Sequence, residues 1–199
     1  MRSVVIAIAL VARAAYAAPD SDQRVSAALG FAAGGGWTPG GLHVDGSYLL
    51  QLDDSNWFDI GLGATVGGST AACFSDRSGG YTCDHGLAQG ESIGFRAGVR
   101  HYFTERYFLR AGVGVDVVRF PDDVVLTMTG GTQMPTLTTG MNGIAITAHG
   151  GGGIRVPVST EVALVGAVDL FGGASGFAGT ADAQHQLGFA ITFGAELRP

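Results

Sequence analysis

The sequence predicts an all-β chain, an eight-stranded antiparallel up-and-down transmembrane β-barrel. Three observations carry that expectation. Apolar residues alternate with polar or small ones at a period of two, sustained over 9 to 11 residues in the clearest segments. Ordinary strands run to about five or six residues, whereas a tilted membrane strand needs about 9–11. Tight turns alternate with longer connections along the chain, as in a barrel whose two ends differ. Only 14% of the residues are charged and 46% are hydrophobic, with 34 glycines and a mean hydropathy of +0.29. A soluble domain carries about 25% charged residues, so much of this surface is expected to face something other than water.

The first 19 residues, MRSVVIAIALVARAAYAAP, read as a secretory signal. Arg2 supplies the positive end, Val4 to Ala12 the apolar run, and Ala15-Tyr16-Ala17 the small-residue cleavage site. The expected organisation is a signal peptide at 1–17 and a barrel domain at 18–199. Cleavage removes Arg2 and Arg13, which takes the net charge from -6 to -8. That acidity, with no cluster of basic residues, excludes a nucleic-acid partner. All 11 basic residues are arginine. Beyond the leader no segment reaches the roughly 18 apolar residues of a membrane helix.

Eight strands are expected near 24–33, 42–53, 57–69, 91–103, 107–119, 143–157, 161–171 and 186–197. In LHVDGSYLLQL, Leu42, Val44, Tyr48, Leu50 and Leu52 share one face, and His43, Asp45, Ser47 and Gln51 the other, with Leu49 out of pattern. In FDIGLGATV, Phe58, Ile60, Leu62, Ala64 and Val66 oppose Asp59, Gly61, Gly63 and Thr65. The next strand contains FRAGVRHYF, where Ile93, Phe95, Ala97 and Val99 point one way and Arg96 and Arg100 the other. The last, LGFAITFGAEL, repeats the alternation from Leu187 to Leu197. Side chains on a strand alternate between its faces, so one apolar and one polar face result.

Short turns are expected at 54–56, 104–106 and 157–160, and longer connections at 34–41, 70–90, 120–142 and 172–185. Trp57, Phe58, Tyr102, Phe103, Tyr107 and Phe108 cluster beside the short turns. Five of them, Trp57, Phe58, Tyr102, Phe103 and Tyr107, are expected to form the aromatic girdle at one membrane interface. With these strands and with phrases such as GFRAGVRHYF and LRAGVGVDV, the chain resembles the small outer-membrane β-barrel proteins of OmpA/OmpX type over residues 24–197. The resemblance implies integral insertion in the outer membrane of a Gram-negative cell envelope. It implies contact with membrane lipid and lipopolysaccharide, and with the barrel-insertion machinery.

An eight-stranded barrel has an interior just wide enough for side chains. With the apolar face outward, an ion network is expected inside, formed by Asp45, Asp59, Arg96, Arg100, Arg110, Asp116, Arg155, Glu161, Asp169 and Glu196. Buried charges must be paired, so these four arginines and six carboxylates should bridge one another. A loop at 104–106 sets Arg100 opposite Arg110, Tyr102 opposite Phe108 and Arg96 beside Gly114. Like charges face to face are unfavourable, so Arg100 and Arg110 are expected to share Asp59, Glu161 or Glu196.

Cys73 and Cys83, the two cysteines of an exported chain, are expected to form a disulfide within the 70–90 connection. No metal or cofactor is expected. His149-Gly150-Gly151-Gly152 is similar to an esterase oxyanion segment, but the accompanying G-x-S-x-G is missing, and no catalytic residue is assigned. His101 is expected at the membrane interface. The connections 70–90 and 121–142 are candidates for an extracellular ligand. The functional expectation is a non-catalytic outer-membrane barrel with a structural or surface-interaction role and a plugged lumen. The alternatives are a narrow pore or small-molecule transporter, and a lipid A-modifying enzyme.

Overall fold

The strand pattern closes on itself. The computed structural model describes residues 22–36, 38–68, 73–75, 81–83, 89–120, 127–128, 141–177 and 183–199. The signal segment expected at 1–17, Trp37 and most of the connections 70–90 and 121–142 lie outside them. In chain order the strands are β1 (Gln23–Gly36), β2 (Gly41–Gln51), β3 (Asn56–Gly68), β4 (Cys73–Ser75), β5 (Tyr81–Cys83), β6 (Gln89–Tyr102), β7 (Tyr107–Phe120), β8 (Thr127–Met128), β9 (Met141–Pro157), β10 (Val162–Phe177) and β11 (Gln184–Leu197).

The eight long strands form one closed antiparallel barrel in the order β1-β11-β10-β9-β7-β6-β3-β2. Closure is made by β1 and β11, paired from Val25 opposite Leu197 to Gly36 opposite Gln186. A closed barrel leaves no unpaired sheet edge. The three short strands form a separate sheet, β4-β5-β8. It ties the 69–88 connection to the 121–140 connection through Thr82 opposite Met128 and Cys83 opposite Thr127. Within it Cys73 lies opposite Cys83.

Each short turn is built the same way. An exposed apolar residue opens it (Leu52, Phe103, Val158) and a small polar residue follows (Asp53, Thr104, Ser159). The side-chain oxygen of that second residue accepts the backbone N–H groups two and three positions on. Asp53 takes Ser55 and Asn56, both at 2.9 Å. Thr104 takes Arg106 at 3.1 Å and Tyr107 at 3.2 Å. Ser159 takes Glu161 at 3.3 Å and Val162 at 3.0 Å. This local capping is what lets Asp, Thr and Ser stop a strand and reverse it.

Two of the expected long connections are short. The chain passes from β1 to β2 through 37–40 and from β10 to β11 through 178–183. Glycine-rich ends that read as loop instead continue the ladder: Gly35 pairs with Leu187, Gly173 with Thr147 and Gly176 with Ile144. The remaining connections at that end, 69–88 and 121–140, are long.

Burial follows the period of two. Along β7 it alternates between exposed and less accessible without a break from Tyr107 to Phe120. Outward go Tyr107, Leu109, Val113, Val115 and Val117, each at least half exposed. Inward go Phe108, Arg110, Asp116, Val118 and Phe120. Leu49, out of pattern in the sequence, points inward and is fully buried.

Candidate functional site

The lumen is filled in layers, and the layers follow from which residues fall on the inward parity at each height. Nearest the short turns lies an aromatic floor of Trp57, Tyr102 and Phe108, with Leu49 against it. Tyr102 stands edge-on to Trp57 at 6.3 Å and tilted to Phe108 at 5.6 Å. Two guanidinium groups stack on this floor. Arg24 lies 4.0 Å from the Trp57 ring centre and Arg100 4.8 Å from that of Phe108, an arrangement favourable to a cation in a desolvated place.

Above it sits Glu196, 1% exposed. Its Oε1 accepts Arg24 at 3.1 Å and Arg155 at 2.7 Å, and its Oε2 accepts the Tyr102 hydroxyl at 3.0 Å and Arg100 at 3.5 Å. Arg100 directs its Nε and Nη2 to Asp59 Oδ2 at 3.1 and 2.8 Å. A second cluster lies deeper. Arg110 forks onto Asp169, with Nε 2.5 Å from Oδ1 and Nη2 on Oδ2, and also reaches Asp45 at 3.1 Å. Asp45 takes Arg96 on its other oxygen at 2.5 Å. A fork onto both carboxylate oxygens is the strong geometry for this pair of groups.

Towards the long connections there is a cavity of about 50 Å³, lined by His43, Thr65, Arg96, Asp116, Thr147 and His149 among others. His43 Nδ1 lies 2.8 Å from Thr65 Oγ1, and the Thr147 hydroxyl donates to Asp116 at 3.0 Å. Both ring nitrogens of His149 are buried without a protein partner among the described residues. Thr38 and Pro39 roof the cavity. Thr38 Oγ1 accepts the Leu187 backbone N–H at 3.2 Å, which holds the β1–β2 connection down over the mouth.

Glycines make room for these long side chains. A Cβ at Gly94 would collide with the Asp116 carboxylate, at Gly63 with the Arg96 guanidinium, and at Gly153 with the Phe108 ring. Small residues thus face large ones across the lumen, as the taper of a small barrel requires.

The hairpin of β6 and β7 has the pairing that a turn after Phe103 dictates: Arg100 opposite Arg110, Tyr102 opposite Phe108 and Arg96 opposite Gly114. The two facing arginines lean apart, Arg100 to β3 and β11, Arg110 to β2 and β10. Three expectations need correction. Arg110 takes Asp45 and Asp169, because they stand at its height and Asp59 and Glu196 stand at that of Arg100. Glu161 is exposed: β10 begins one residue later than expected, at Val162, which leaves Glu161 in the turn capped by Ser159. Of the five girdle aromatics, Trp57 and Tyr102 are buried inside on the same parity as the arginines. Phe58 points outward, and Phe103 and Tyr107 are exposed.

Asp116 accepts the Thr147 hydroxyl rather than an arginine. His101 lies beside the outward Phe103 ring and bonds Asn56 at 2.8 Å. Arg24 joins the network without having been singled out in the sequence. Its signal was parity, since Arg24, Ser26 and Ala28 alternate with Val25, Ala27 and Leu29. With Arg24 added and Glu161 removed, five arginines balance five carboxylates inside the barrel among the described residues.

A closed eight-stranded antiparallel barrel with a salt-bridged lumen and an apolar exterior defines the fold class of small membrane barrels. Solved structures of that fold are similar. A major outer membrane protein from Thermus thermophilus superposes with a TM-score of 0.56 at 13% identity, over 91% of this chain and 100% of that one. Ail, the attachment invasion locus protein of Yersinia pestis, solved with the heparin analogue sucrose octasulfate, gives 0.46 at 8% identity over 89% of this chain and 97% of that one. No known family profile and no curated protein matches the sequence.

Proposed function

We propose that the chain is an integral outer-membrane barrel with a plugged lumen, no catalysis, and a structural or surface-interaction role. The observation that carries this reading is the height of the apolar belt. On β7 the outward apolar residues run from Tyr107 to Val117, and the next outward position is Arg119, paired at 3.5 Å with Glu91 on β6. The ten steps from Tyr107 to Val117, at about 3.3 Å each and tilted by about 40°, give a belt about 25 Å tall, the thickness that an outer-membrane barrel presents to lipid. In water such a surface would be an aggregation liability.

In this reading the short turns face the periplasm and the connections 69–88 and 121–140 face outward, available to an extracellular ligand and to lipopolysaccharide. Residues 1–17 act as a cleaved export signal, and the barrel-insertion machinery assembles the strands. Cys73 and Cys83 form a disulfide, a role supported by their opposed positions in β4 and β5. Protease treatment of intact cells tests the reading. Cleavage is expected in 69–88 and 121–140 only, with the protein resisting carbonate extraction. Carbonate release, or cleavage in the 52–55 or 103–106 turns of intact cells, would overturn it.

A further inference from the structure

The outer wall is unevenly covered. Most outward positions carry a large apolar side chain, and of the outward glycines, Gly46, Gly150 and Gly172 among them, Gly152 on β9 and Gly166 on β10 fall together towards the short turns. Gly166 pairs with Ile154 and Phe193, and Gly152 with Leu109 and Val168. The two bare positions are therefore diagonal neighbours, and together they open a groove of about 750 Å³ walled by Tyr107, Ile154, Leu164 and Phe193. Those four side chains are 54%, 50%, 55% and 69% exposed.

We propose that this groove binds one acyl chain of a zwitterionic glycerophospholipid whose headgroup lies against the adjoining short turns. The inference rests on the membrane reading above. Along β9 the groove runs from Val156 to Gly152, a length of about 13 Å at 3.3 Å per residue, which fits within the roughly 15 Å of one leaflet. Its lining residues Tyr107, Val156 and Leu164 stand close to the short turns, so the leaflet is the one on that side. Tyr107 stands at that end, and an aromatic ring with a hydroxyl suits the level of the headgroups.

The charges there have both signs. Arg106, exposed in the turn that leads into β7, offers a guanidinium for a phosphate. Glu105 beside it and Glu161, exposed in the turn that leads into β10, offer carboxylates for an ammonium group. A headgroup carrying both charges complements that rim, and a purely anionic one meets repulsion. A second copy of the chain fits less well. A two-fold axis sets the same patch against itself, so concave would face concave and the groove would stay unfilled.

The test fills the groove without touching the lumen. A Cβ at Gly166 would meet only two ring atoms of Phe193, each at 3.3 Å, and that side chain can yield. Wild-type protein and Gly166→Leu are reconstituted in vesicles of mixed phosphatidylethanolamine and phosphatidylglycerol, extracted in mild detergent and weighed by native mass spectrometry. The wild type is expected to retain one phosphatidylethanolamine, and Gly166→Leu to lose it. A phosphatidylethanolamine with a photoactivatable acyl chain, used on the wild type, is expected to label peptides containing residues 152–156 and 164–168. Equal retention by both proteins, label spread evenly round the barrel, or a preference for phosphatidylglycerol would overturn the proposal. So would disulfide dimers of Gly152→Cys forming in place of lipid retention. Flotation of the wild type with the vesicles separates the two readings. A wild type that fails to float sinks the membrane assignment, whereas one that floats without bound lipid sinks only the groove.

Discussion

Glu196 gathers Arg24, Arg100 and Arg155 from three different strands at a point 1% exposed. Removing such charges from water is costly, and only full pairing offsets it. Replacing Arg100 by leucine leaves Asp59 without its two hydrogen bonds and Glu196 short of one. We expect a loss of about 3–5 kcal/mol in urea unfolding from detergent micelles, the scale for breaking a buried pair; an unchanged midpoint would refute the network's structural role. His149→Leu should behave oppositely, with a midpoint unchanged or raised, because neither ring nitrogen has a protein partner to lose among the described residues. In the turn between β2 and β3, hydrogen bonds from the Asn56 side-chain amide and from the Ser55 and Asn56 backbone hold the Asp53 carboxyl below its ordinary value of 3.8. A depressed folded pKa contributes stability above the unfolded pKa, and that contribution is lost as pH falls through the folded one. Amide-exchange protection at Ser55 and Asn56 should therefore be present at neutral pH, persist through the ordinary aspartate range, and disappear only at pH below 3.8. Asp53→Asn should abolish that pH dependence.

Strands and turns obey simpler rules than the lumen does. Alternation identified all eight long strands, since a ladder with one apolar outer face and one face in the lumen must alternate. Their ends were harder to read. Glycine at 34–36 and at 172–176 looks like loop because it lacks a side chain to declare a face, yet the backbone there still pairs. The same lack of a side chain is used inside the ladder. Gly94→Ala should destabilise the barrel markedly, because its Cβ collides with the Asp116 carboxylate and the Val115 carbonyl. Gly35→Ala should be nearly neutral, as nothing stands within 4 Å of the added atom. Thermal unfolding of the two variants side by side checks this, and equal effects would count against the small-against-large packing.

At the scale of the whole molecule, the layers set against one another decide whether anything passes. The aromatic floor and the Arg100–Glu196 layer are inaccessible to water, with Trp57 at 2% and Arg100 and Glu196 each at 1% exposure. Refolded protein in a planar bilayer should therefore show no conductance steps. Discrete steps would mean that the floor opens, and would favour the pore reading.

The amino-acid sequence by itself determined the architecture: the period of two, the short turns and the inward parity of Arg96, Arg100, Arg110 and Asp169 are local properties of the chain. It also determined the hairpin register at residues 100–110, since a tight turn leaves one way to pair its arms. Only the tertiary structure decided which carboxylate each arginine takes, that Trp57 and Tyr102 form a floor rather than a girdle, and that Arg24 belongs to the network while Glu161 does not. Parity assigns a residue to a face, but its height in the lumen depends on the stagger between strands far apart in sequence. That stagger is set only when β1 meets β11 and the barrel closes.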